Sequence, residues 1–194
     1  MGSARRVHAL NGSGKLMRSG AIMSMLRRVT FLLAAAALAF SAQGAEAKSS
    51  FSAELTGAAH LPEPVVTKAT GFVTVTISDD GSSLKYTVTV QNLSNIVAAD
   101  LHMGPDSANG PLVARLFPTG GAKSKKGPFS GTLAEGTIRA GDLIGPLLGA
   151  SLADLIEEIR AGNAYVNIHT NDGVDPPDTG PGDYTLGEIR GQLQ

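Results

Sequence analysis

The strict alternation of "GFVTVTIS" and "LKYTVTV" on either side of Asp79-Asp80-Gly81 limits what this chain can fold into more than any other feature. Val73, Val75 and Ile77 fall on one face of the first segment. Leu84, Tyr86, Val88 and Val90 share a face of the second, opposite Lys85, Thr87 and Thr89. A period of two in β-branched and aromatic residues predicts half-buried strands, and an Asp-Gly connection predicts that they pair as a hairpin. "FSAELTG", "VAADLHM", "PLVARLF", "FSGTLAEG", "AYVNIHT" and "LGEIRGQL" read as further strands, about eight in all, divided by Gly, Pro and Asn turns. The 24 glycines, 10 prolines and absent tryptophan fit frequent turns around an aliphatic core. The expected class is all-β, an antiparallel β-sandwich or Greek-key barrel. One helix interrupts it: "SLADLIEEIRAG" carries a Ser151/Asp154 capping box, an apolar stripe of Leu152, Leu155, Ile156 and Ile159, and Gly162 at the C′ position.

The first 47 residues read differently. "FLLAAAALAF" behind Arg27-Arg28 and ahead of Ala45-x-Ala47 has the layout of a secretory signal peptide, and the apolar run is too short to span a bilayer. Residues 1–22 are polar and glycine-rich, unlike a signal n-region, and the expectation is that translation starts at Met23 or Met25, with 1–22 either a mis-annotated or a disordered N-terminal extension. The expected organisation is 1–22 extension, 23–47 signal peptide and 48–194 a single domain, periplasmic or secreted, with no membrane association after cleavage. Residues 1–47 hold six of the 16 Lys and Arg and one of the 17 Asp and Glu, so 48–194 keeps ten basic against 16 acidic residues, a formal charge of −6. Its one basic cluster, Lys123 to Lys126, reads as a solvated hairpin tip, and nucleic acid is set aside as a partner. Cysteine is absent, which removes disulfides and thiolate ligands, so burial and strand pairing must stabilise the domain.

"LHMGPDSANGPLVARL", "YVNIHT" and "GEIRGQL", following "FSAELTG" and "LPEPVVTKATGFVTV" in that order, closely resemble the chordin-type (CHRD) domain family. The resemblance spans nearly all of Phe51 to Leu193. It implies an immunoglobulin-like β-sandwich or barrel outside the cytoplasm, with no established enzymatic activity in the bacterial members. The growth-factor partners of chordin are not implied, since this chain lacks the cysteine-rich modules of that protein. Two departures stand out: Asp100-Leu101-His102 where the family commonly has His-x-His, and a longer loop before "GEIRGQL".

Alternation places Asp100 and His102 on one face of their strand, Asn167 and His169 on one face of theirs, and Glu188, Arg190 and Gln192 on one face of the last. Were these strands neighbours, their polar rows would form a single cluster. One reading is a metal site for copper or zinc built from Asp100, His102, His169 and Glu188, because neutral imidazole and carboxylate suit both ions. The other is a network that fixes strand register, with Asn167 as a hydrogen-bonding member and Arg190 paired to Glu188 or Asp100. Catalysis is not expected. The three histidines of 48–194 are too few for a copper-zinc dismutase, there is no G-x-S-x-G elbow, and Glu157-Glu158 are adjacent on the helix. Asp172, Asp175, Asp178 and Asp183 could offer oxygens to calcium, but they lack EF-hand spacing and read as a solvated loop. The expected function is an exported, non-enzymatic binding or structural module for an extracytoplasmic protein or surface ligand, with copper or zinc binding as the alternative.

Overall fold

The structure is a computed structural model that describes residues 48–174 and 180–194. The signal-peptide reading, and the loop aspartates Asp175 and Asp178, lie outside the described residues. Among the described residues seven strands form one antiparallel sheet: β1 (Ser50–Thr56), β2 (Thr70–Ile77), β3 (Leu84–Met103), β4 (Leu112–Phe117), β5 (Lys125–Ile138), β6 (Ala164–Thr170) and β7 (Ile189–Gln192). A helix, α1 (Leu152–Arg160), precedes β6.

The expected hairpin forms. Ile77 pairs with Leu84, the Gly81 N–H donates to the Ser78 carbonyl at 2.8 Å, and every apolar residue assigned to the inner face of β2 and β3 is buried. Asp80 accepts from the Ser82 N–H and the Ser78 hydroxyl, and these bonds hold its carboxyl down at about 2.

The segments "LKYTVTV" and "VAADLHM" prove to be one strand, the 20-residue β3. Asn92 and Asn95 take φ of 55° and 51° at its middle, and the pairing with β5 slips there. Asparagine tolerates this left-handed conformation better than other side chains, and such bulges bend a strand. The bend gives β3 two sets of neighbours: β2 along Leu84 to Gln91 and β5 along Leu84 to Ile96, then β6 along Ile96 to Met103 and β4 along Ala99 to His102. The order β2–β1–β7–β6–β3 then returns to β2, so five strands close into a barrel with β4 and β5 attached to β3. The all-β class is as expected. Of the sandwich and barrel expected, the closure fits a barrel, in which β3 joins both halves into a continuous sheet.

The core is aliphatic and runs through every strand, including Leu55, Val73, Val88, Leu101, Val113, Leu133, Val166 and Ile189. Helix α1 buries Leu152, Leu155, Ile156 and Ile159 against it. Asp154 accepts from both the N–H and the hydroxyl of Ser151 at its start. At its end Gly162 (φ 74°) and Asn163 donate back to the Ile159 and Glu158 carbonyls, a Schellman motif. Lys123 to Lys126 are exposed in the connection from β4 into β5. Among the described residues no helix is long and apolar enough to cross a membrane.

Candidate functional site

The register across four adjacent strands makes one polar row. Arg115 of β4 stands opposite Asp100 of β3, Asp100 opposite Asn167 of β6, and Asn167 opposite Arg190 of β7. His102 lies two residues beyond Asp100, and His169 two beyond Asn167. Because the strands are antiparallel, the two imidazoles flank the row from opposite sides, with partners Tyr165 and Ala98. The odd-numbered neighbours Ala99 and Leu101, with Val166, Ile168 and Ile189, belong to the core, so the polar row occupies the opposite face of the sheet.

Side chains from this face converge. One ligand atom each from Asp100, His102 and His169 lies within 4.8 Å of the others. His102 donates Nδ1–H to the Gly110 carbonyl at 3.0 Å, and His169 donates Nδ1–H to the Thr185 carbonyl at 2.9 Å. A carbonyl oxygen can only accept, so each bond fixes a proton on Nδ1, and in the neutral ring Nε2 is then the lone pair. Among the described residues His102 Nε2 and Asp100 Oδ1 are buried without a hydrogen-bond partner. His169 Nε2 lies 3.6 Å from Asp100 Oδ2 and makes one long contact, 3.5 Å, with the Asn167 amide nitrogen. With both rings neutral, acceptors face acceptors on the inner side of Asp100, opposite the Arg115 guanidinium 3.5 Å from Oδ1, an arrangement that a further cation relieves.

Electrostatics follow from the burial. Desolvation raises the Asp100 carboxyl above its usual range, against the opposing pull of Arg115, His169 and His102. Desolvation also lowers the His102 imidazole, although the Gly110 carbonyl and Asp100 favour its charged form. A neutral imidazole is the form that binds metal.

Two loops cover the face. The buried Arg190 guanidinium, 3.9 Å above the Tyr165 ring, donates to the carbonyls of Pro105, Asp106 and Ala108 and lies 3.5 Å from the Asp106 carboxylate. The Tyr165 ring in turn stacks on His102, its hydroxyl accepting from Gly110 N–H and donating to Gly110 O. Gln192 donates to the Gly104 and Gly162 carbonyls. On the other side the Asn167 amide donates to the Leu186 carbonyl at 3.0 Å. Gly187 (φ 127°) passes so close that a Cβ there would overlap the Asn167 amide.

The sequence placed Glu188 with this cluster, and the structure does not. β7 begins only at Ile189, and the Glu188 carboxylate accepts from the Thr67 hydroxyl, the Thr170 hydroxyl and the Gly182 N–H at 2.6 to 2.8 Å. Those donors satisfy a fully buried carboxylate and leave it no role as a ligand here. Arg190 pairs with neither Glu188 nor Asp100, for its guanidinium turns towards residues 105–108. Arg115, whose Nη1 is 3.5 Å from Asp100 Oδ1, and the role of Tyr165 were not among the residues expected from the sequence. The lone arginine of the apolar "PLVARLF" was the available signal. Among the described residues Asp172 and Asp183 belong to no group of three metal-ligating side chains, and Asp175 and Asp178 lie outside those residues.

A family model described as the CHRD domain matches residues 51–176. The match ends ahead of β7, the strand that completes the barrel. No curated protein and no solved structure matches the chain.

Proposed function

This chain belongs to the CHRD domain family, and from that premise we propose that it is a non-enzymatic binding module, acting outside the cytoplasm, whose binding centre holds copper or zinc. Export rests on the signal-peptide reading of residues 23–47. Asp100, His102 and His169 supply the donors. The observation that carries the metal reading is the pair of Nδ1–H to carbonyl bonds at Gly110 and Thr185, which leave Nε2 of each neutral imidazole free in a group of three side chains whose ligand atoms lie within 4.8 Å of one another. Backbone carbonyls commonly orient metal-bound imidazoles in this way. An ion about 2 Å from each ligand needs donor atoms roughly 3 to 4 Å apart, so the donors, which lie within 4.8 Å of one another, would have to close by up to about 2 Å to complete the site.

The competing reading is a structural pair in which His169 gains a second proton and donates to Asp100 across their 3.6 Å separation. Calorimetry with Cu(II) and with Zn(II) separates the two. The metal reading expects one sub-micromolar site that disappears in the His102→Ala/His169→Ala double variant. Binding no tighter than that variant's, with the variant strongly destabilised in the absence of metal, would overturn it in favour of the ion pair.

A further inference from the structure

We propose that the metal at this centre keeps one coordination position open for a carboxylate-bearing ligand and that Arg115 clamps the second oxygen of that carboxylate. The inference rests on the metal reading above. Three protein donors converge among the described residues, and tetrahedral or square arrangements of zinc and copper take four. Glu188 is committed to its own donors and Asp106 stands beside Arg190, so neither supplies the fourth.

Arg115 marks where the fourth ligand enters. It is the next residue in the polar row, directly opposite Asp100, and its side chain is 43% exposed while that of Asp100 is 7% exposed. Among the described residues Asp100 is its one polar partner, at 3.5 Å, which is beyond the length of a good hydrogen bond. Most of the guanidinium fork is therefore available to a ligand. A metal that draws on the Asp100 charge weakens that hold further, just as it creates a vacant position beside the fork. An arginine fork and a metal side by side match the two oxygens of a carboxylate, one to each. No bond of the ligand breaks. A free organic acid and an acidic side chain of a protein present the same group.

Co(II) reports both events by its visible absorption. Full-length wild type, Arg115→Ala and Arg115→Lys are loaded with Co(II). Each is then titrated with acetate and with an acetylated, amidated Gly-Glu-Gly peptide. The expected result is Co(II) affinity in Arg115→Ala no weaker than in wild type. Carboxylate should shift the wild-type spectrum saturably, and its affinity should fall at least tenfold in Arg115→Ala, with Arg115→Lys between. Preference for acetate assigns the site to small acids, and preference for the peptide assigns it to a protein partner. Co(II) binding with no carboxylate response, or an equal response in all three proteins, overturns the open-position proposal alone. Failure to bind Co(II), together with failure to bind Cu(II) and Zn(II) in calorimetry, overturns the metal reading with it.

Discussion

The Tyr165 ring lies against the His102 imidazole, centroids 5.0 Å apart and planes 12° from parallel, while the buried Arg190 guanidinium sits 3.9 Å over the same phenol ring. The Gly110 carbonyl accepts from both the phenol and the imidazole. Tyr165 thus sets the plane of a candidate ligand and ties it to the covering loop. Tyr165→Phe keeps the stack but leaves the Gly110 N–H without its acceptor. It should cost about 1 to 3 kcal/mol in urea unfolding. Tyr165→Leu removes the stack as well and should weaken metal binding, whereas Tyr165→Phe should leave it within about threefold, since fixed orientation of the ligand is what its supporting groups provide.

Glu188 supports the fold through donors from three segments. In Glu188→Gln the amide N–H₂ must face hydroxyl and N–H groups that now donate. Unfolding free energy should drop by about 2 to 4 kcal/mol, with metal affinity measured by calorimetry unchanged. Loss of metal binding in a folded Glu188→Gln protein would return this residue to the ligand set.

Asp100 should trade stability for binding. Its carboxylate is buried with Oδ1 unbonded, and desolvation outweighs the favourable charges around it. Asp100→Asn should raise the melting temperature of the metal-free protein and lower Zn(II) affinity at least about tenfold. A variant that melts lower without metal would show that the charge is held for stability instead.

The His102 shift sets a pH dependence for the metal-free protein. Its folded pKa lies below the unfolded reference of 6.5, so the unfolded chain binds the proton first as the solution is acidified. The contribution is fully present above pH 6.5 and is lost as pH falls towards the folded value. Asp100 has the opposite sign: raised above 3.8, it favours the fold at low pH and loses that contribution as pH rises through its folded value. Thermal melts at about pH 7.5 and 5.5 should therefore show wild type losing more stability on acidification than His102→Asn, which cannot take up that proton. Equal losses would assign the acid response to other groups.

A period of two, an Asp-Gly turn and a capped apolar stripe are local properties, so the sequence by itself determined the β2–β3 hairpin, helix α1 and the face on which each of Asp100, His102, Asn167, His169 and Arg190 lies. Those faces hold because successive residues of a strand point to opposite sides wherever the strand ends up. Adjacency is not local. That β6 lies between β3 and β7, with Asp100 opposite Asn167 and Arg115 opposite Asp100, follows from pairings between residues far apart in the chain. The bend at Asn92 and Asn95 closed the sheet into a barrel, and no single segment reveals that closure. Tertiary structure also removed Glu188 from the cluster and added Arg115, because a buried carboxylate goes to whatever donors surround it, and those donors came from Thr67, Thr170 and Gly182.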